Sequence, residues 1–215
     1  MTDSPRTPTP IDAIAEAWVD TCAELSPGLA TYIGRFEHNG RLDDYSLAGA
    51  AARVDAARAT LAALQAAEPV DDVDVVTKAD LSGDLELSIA LYEAGAHLRD
   101  VNVIASPAQE LRSVFDLMPT DTIDDWSVIA TRLSAIPEAI GGYIETLREG
   151  IATGVVPARR QVTEVIGQIA RYTSDNGFFA TFAADAPPAA GPPPPSPAHT
   201  LSGPAGRARA AQRRA

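Results

Sequence analysis

The sequence predicts an all-α protein, an irregular multi-helix array of about six to seven helices followed by a disordered C-terminal tail. Three observations predict it. Apolar residues recur every three to four positions through most of the chain up to Asp185. The hydrophobic fraction is 46% with aromatics at only 6%, and Ala and Leu, both strong helix formers, carry much of it. No alternating run long enough for a half-buried strand occurs, and no fixed-period repeat.

The elements follow in order. Ile11, Ile14, Trp18, Cys22 and Leu25 mark one face of a first helix. Ser26-Pro27-Gly28 ends it, because the residue before proline is driven out of the helical region. Leu29 to Ile33 is a short apolar segment, helical or extended, and a polar loop runs through His38-Asn39-Gly40 and Asp43-Asp44. Ser46 is placed to cap a second helix reaching about Ala67, with Leu47, Val54, Leu61 and Leu64 inward. After Glu68-Pro69 a third helix covers about Val73 to Ala94, with Val76, Leu81, Leu85, Ile89 and Tyr92 inward. Gly95 to Ser106 is a connection, and Pro107 suits the first turn of a short helix ending near Met118-Pro119.

Thr122 and Asp125 have capping-box spacing, with Asp in place of Glu or Gln. The helix they open carries Trp126, Ile129 and Leu133, and Pro137 kinks it or starts another. That helix continues through Ile140, Tyr143, Ile144, Leu147 and Ile151 to Gly154. Gly141-Gly142 lies inside the helical pattern, where it would let another element approach closely. A last helix runs from about Pro157 to Tyr172, with Val162, Val165, Ile166 and Ile169 inward.

This divides the chain into a disordered N-terminus (1–10), a helical domain (11–185) and a Pro/Ala/Arg-rich tail (186–215). Eight of the 17 prolines fall between Pro187 and Pro204, and without apolar periodicity nothing there offsets the entropy of ordering. The chain carries net charge −12, yet its acids end at Asp185, and Arg207, Arg209, Arg213 and Arg214 are the only charges beyond. An acidic body repels nucleic acid and anionic lipid, so neither is expected as a partner. No segment has the length of apolar residues that a membrane span requires. Cys22 stands alone, so neither an internal disulfide nor a multi-cysteine metal site can form, and a reducing cytoplasm is the expected compartment. Its place in an apolar run makes it a small core residue rather than a nucleophile.

The motifs of catalysis are missing. His38, His97 and His199 are far apart and none belongs to a His-Glu-x-x-His pair; no phosphate loop, dinucleotide fingerprint or nucleophile elbow occurs. Asp71-Asp72-Asp74 and Asp121-Asp124-Asp125 could attract a hard cation, but both sit at helix starts, where capping and the helix dipole already favour Asp. Arg159-Arg160 opens a helix against the dipole's preference, so an internal carboxylate pair or an external anion is expected to fix it.

One long stretch resembles a known family. Leu98-Arg99-Asp100-Val101-Asn102 leads through Ala105-Ser106-Pro107 to Ser113-Val114-Phe115-Asp116-Leu117-Met118-Pro119-Thr120. Asp125-Trp126, Ile129-Ala130-x-Arg132-Leu133, Pro137, Tyr143 and Leu147-Arg148-Glu149-Gly150 follow, and Val156-Pro157-x-Arg159-Arg160-Gln161-Val162 closes it. With the earlier Pro27-x-Leu29-Ala30-Thr31-Tyr32-x-Gly34 and the Arg41-Leu42 loop, the chain from Ile11 to Ala183 is similar to the N-terminal part of the DUF885 family of bacterial proteins. The resemblance implies a partial fold of a larger helical protein that looks like a zinc-dependent metallopeptidase. It also implies a metal motif in the C-terminal half, a His-Glu followed by Pro-Gly-His-His. No His precedes Glu anywhere in this chain, so no catalytic residue, metal ligand or cofactor transfers to it, and zinc is implied for full-length members only.

The resemblance therefore implies the N-terminal helical portion of a metal-dependent peptidase or hydrolase, inactive alone. Its exposed apolar surface would self-associate, and a peptide substrate would be met only in a full-length form. Arg112, Asp116, Arg159 and Arg160 are the expected substrate- or partner-facing residues. The tail's Ala, Gly, Pro and Arg content matches GC-rich DNA read out of frame, so a truncated or frameshifted chain is expected. The alternative is a non-enzymatic helical interaction module; a complete small hydrolase using His38 or His97 is a third reading.

Overall fold

The computed structural model describes residues 6–186, and among these every regular element is helical. The α-helices are α1 (Pro10–Leu25), α2 (Pro27–Tyr32), α3 (Leu47–Ala66), α4 (Asp72–Glu93), α5 (Pro107–Ser113), α6 (Ile123–Thr153), α7 (Arg159–Tyr172) and α8 (Phe178–Ala184). Short 3₁₀ turns occupy Phe36–His38, Ala96–Arg99 and Val114–Leu117. The expected tail beyond Ala186, with His199, lies outside the described residues.

Capping fixes the helix starts. The Thr9 hydroxyl accepts from the Asp12 amide at 3.2 Å while Asp12 Oδ2 accepts from the Thr9 amide at 2.8 Å. Ser46 caps α3 and Thr122–Asp125 forms the expected box on α6. Each such cap satisfies amides that a helix start otherwise leaves orphaned. Residues 6 to 9, inside the stretch expected to be disordered, are tied down by charge. Arg6 reaches Asp12 at 2.5 Å, Asp71 at 2.6 Å and Asp74 at 2.6 Å. Asp74 is fully buried and also accepts from the Thr9 hydroxyl at 2.7 Å and the Val70 amide at 2.8 Å. The Arg6 hydrogen bond lowers the Asp71 carboxyl to about 2.

Two apolar clusters organise the rest. In the first, Ile11 of α1, Ala57 and Leu64 of α3 and Leu85 of α4 are buried together, with Trp18, Leu61, Leu81 and Ile89 packed against them. In the second, Val114, Phe115 and Met118 meet Trp126, Ile129 and Ile136 of α6. The aromatic rings of α8 close this second cluster, Phe182 lying 5.3 Å from the Trp126 ring and 5.9 Å from Phe115. No helix was expected after Tyr172. Its seven residues are too few to display a period, and Phe178, Phe179 and Phe182 declare themselves only once a partner surface exists.

Arg132 joins the two halves. It lies on the buried face of α6 and is fully buried. Its Nε donates to the Arg41 carbonyl at 2.7 Å, Nη1 to the Thr31 hydroxyl at 2.9 Å and Nη2 to the Pro27 carbonyl at 3.0 Å. Thr31 passes its own proton to Asn39 Oδ1 at 2.7 Å. Burial lowers the Arg132 guanidinium to about 10, which leaves it charged at neutral pH.

Helix α6 runs unbroken through Pro137. Gly142 packs where the expected close approach was read: a Cβ there would stand 3.0 Å from the Ser46 amide nitrogen. Several inward assignments fail. Leu47, Val76, Ile166 and Ile169 are exposed, and so are Ile140, Ile144 and Ile151, through which α6 was expected to continue. The buried stripe of α6 instead uses Trp126, Ile129, Arg132, Ile136, Ala139, Tyr143, Thr146 and Gly150. A periodicity argument counts Arg132 and Thr146 as solvent-facing and so rotates the face.

Candidate functional site

Apart from the Arg6, Asp12 and Asp71 ion pairs, several ionisable groups with shifted acidity gather at a place where the segment after Asp43, the Gly95–Ser106 connection, α5 and α6 meet. Its foundation is a polar lattice. Ser106 donates from its hydroxyl to Gln109 Oε1 at 2.6 Å, and its amide donates to the same oxygen at 3.0 Å, which caps α5 behind Pro107. Gln109 Nε2 in turn donates to Gln168 Oε1 of α7 at 2.6 Å, and Gln168 Nε2 donates to the Val103 carbonyl at 3.1 Å. With both amides so engaged, α5 is held against the 102–106 connection and Glu110 has a fixed direction.

Glu110 accepts from the Tyr45 hydroxyl at 3.1 Å. The Tyr45 carbonyl accepts from Thr146 at 2.8 Å, which anchors that residue to α6. Tyr143, also on α6, meets the Tyr45 ring edge to face at 6.2 Å and donates to the Asp100 carbonyl at 2.5 Å. Burial makes Tyr45, Tyr143, Glu110 and Asp100 weaker acids, raising the pKa of each. Asp43 adds its negative field to Tyr45 and Glu110, while its carboxylate accepts from the Gly28 amide at 2.8 Å. Two carboxyls and two phenols thus hold their protons more tightly here than they would in water. Such a group can donate hydrogen bonds to a carbonyl or an oxyanion, or share a proton. It contains no activated nucleophile.

The residues expected to face a substrate or partner are not brought together with it. Arg112 and Asp116 pair with each other one helical turn apart, and the Arg112 guanidinium lies over the Phe178 ring at 4.0 Å. Arg159 and Arg160 are exposed at the start of α7, and neither forms an ion pair among the described residues, so the internal carboxylate partner expected for them is not found there. Sequence reasoning gave Tyr45, Glu110 and Tyr143 no site role, although Tyr143 lies in the family-like stretch; their sequence separation conceals that they meet.

The zinc implied by the family resemblance finds no fitting donors here. The His38 ring nitrogens stand 3.6 Å from Glu24 and 3.9 Å from Glu37, and Glu24 is already held by Arg41 at 2.6 Å. His97 is stacked on Tyr92 instead. Among the described residues no group of three or more His, Cys, Asp or Glu side chains is arranged to hold a metal ion. Asp71 and Asp74 are committed to Arg6 and to the cap of α4, and Asp125 to the cap of α6. No helix of the described residues is long and apolar enough to cross a membrane.

A family model described as "Bacterial protein of unknown function (DUF885)" matches residues 27–214. The matched span begins at Pro27 rather than Ile11, and it continues past residue 185, so the similarity does not stop where the composition changes. No curated protein matches the chain.

Proposed function

The chain belongs to the DUF885 family, and on that premise we propose that it is the N-terminal helical portion of a peptidase-type hydrolase, inactive alone, which walls the substrate cleft and docks against a catalytic part. The observation that carries this reading is the uneven covering of α6. Leu133, Ile140, Ile144, Leu147 and Ile151 fall on one face at 100° per residue. At Leu133 that face packs into the aromatic cluster. Further along it opens to solvent, with Leu147 half-buried and Ile140 37%, Ile144 39% and Ile151 69% exposed. A helix whose apolar stripe runs from a packed core into solvent is shaped to receive another element. Arg159 and Arg160, exposed at the start of α7, are the cations this reading assigns to a peptide carboxylate or to an acid on the catalytic part.

The test is light scattering across a concentration series with a fluorescent apolar dye, on the chain and on an Ile144→Glu/Ile151→Glu variant. The chain should associate and bind dye, the variant should do neither, and added zinc should give no peptide cleavage. A monodisperse chain that ignores the dye would overturn the reading. A non-enzymatic interaction module would use the same stripe. Adding the C-terminal half of a longer family member separates the two: only the peptidase reading has that half bind the stripe.

A further inference from the structure

A cavity of about 360 Å³ opens between α1, α3, α4 and the Ala96–Arg99 turn; its Arg53 also acts on Tyr45 and Glu110 of the acid cluster, but the cavity is independent of the peptidase reading. Its walls are mostly apolar, with Trp18 and Leu25 from α1, Val54 from α3 and Leu91 from α4. Ser26, Ser88, Tyr92, Arg53 and His97 break that lining, and Arg53 and His97 form no ion pair among the described residues. Arg53 donates to the Asp44 carbonyl at 2.8 Å and, like Arg159 and Arg160, forms no ion pair among the described residues, whereas Arg6, Arg35, Arg41, Arg58 and Arg112 each hold a carboxylate. His97 stacks flat on Tyr92, ring centres 4.6 Å apart, and its Nδ1 is buried with no hydrogen-bond partner. A buried polar atom without a partner is uncommon and calls for one. Burial and the nearby Arg53 charge both lower the His97 imidazole, so the ring is neutral at pH 7 and the guanidinium supplies the positive field.

In a chain of net charge −12, an unpaired guanidinium beside an orphaned imidazole nitrogen at an apolar cavity selects a particular ligand. We propose that this cavity binds a small amphipathic carboxylate, its apolar body against Trp18, Leu25, Val54 and Leu91 and its carboxylate between Arg53 and His97 Nδ1. The size falls within the range of small-molecule pockets, and a few placed polar groups on an apolar wall are their usual composition. A carboxylate answers both vacancies at once: it accepts a charge-assisted bond from Arg53 and a second bond from a protonated Nδ1. A cation is repelled by Arg53, and a neutral apolar molecule leaves both groups unmet.

Calorimetric titration with 4-phenylbutyrate and with its neutral counterpart 4-phenylbutanol tests this on the whole chain. The carboxylate should bind about tenfold or more tightly than the alcohol, the worth of one charge-assisted hydrogen bond. Arg53→Gln should erase that difference while leaving the alcohol unchanged, and His97→Phe should reduce it. Cys22 lines the same cavity and is the only cysteine, so bound 4-phenylbutyrate should slow its reaction with a thiol reagent. This protection is read on the unaltered chain and stands even if a variant misfolds. Equal affinity for the two probes, no binding of either, or an unchanged rate at Cys22 overturns the proposal.

Discussion

Replacing Arg132 with Met should unfasten the two halves of the molecule while keeping the aliphatic bulk. The guanidinium makes three hydrogen bonds, to the Pro27 and Arg41 carbonyls and the Thr31 hydroxyl. Bonds from a charged donor contribute about 1.5–3 kcal/mol each, so three are worth roughly 5–9 kcal/mol before the charge is counted. Against this stands the cost of burial. A fall from 12.5 to about 10 corresponds to roughly 3 kcal/mol of bias against the charged form. The difference is a net loss of about 2–6 kcal/mol, a large share of the stability of an ordinary domain. Urea unfolding followed by circular dichroism at pH 7 measures it. The transition should also broaden, because α2 and the 39–46 loop lose their hold on α6. Arg132→Lys should fall between the two, since one ammonium cannot reach three acceptors held in a planar fork. A loss below about 1 kcal/mol for Arg132→Met, with an unchanged slope, would refute the reasoning.

Glu110→Gln should raise thermal stability at pH 7.5 and flatten its pH dependence between pH 5 and 7.5. Burial raises the Glu110 carboxyl, so the folded chain holds that proton more tightly than the unfolded one, and stability falls as pH rises. Gln keeps an acceptor for the Tyr45 hydroxyl without the charge; thermal melts at the two pH values decide, and an unchanged slope would count against the shift. Gly150→Ala should destabilise by about 2 kcal/mol or more through overpacking, because the added Cβ would meet the Leu98 carbonyl at 2.3 Å and the Val155 carbonyl at 2.6 Å. Gly83→Ala, where nothing lies within 4 Å, is the control that should gain rather than lose in a urea titration.

What could be read from the sequence was local. Ser46, Thr122 with Asp125, and Pro107 mark helix starts through bonds made within three residues, and each stands where it was placed. The core of α1, α3 and α4 was legible in part through Leu64 and Leu85, which keep helical spacing. Long-range polar contacts were not legible. Arg132 meets partners about a hundred positions earlier in the chain, and Asp74 is buried only because Arg6 and Thr9 come back to it. The acid cluster was hidden for the same reason, since Tyr45 and Glu110 come from distant segments. Arg112 and Asp116 were expected to face a substrate or partner; the structure pairs them with each other and sets Arg112 over Phe178.

The three acceptors under Arg132 also set an order of assembly. The first apolar cluster draws only on residues from Ile11 to Ile89, so a chain emerging from the ribosome can close it before α6 is made. At that stage the carbonyls of Pro27 and Arg41 still face water. Arg132 arrives later as a latch, and its charge can leave water only when the first half is already built to receive it. A nascent chain halted before Ile123 should therefore protect the amides of α3 and α4 from exchange while those of α2 remain open.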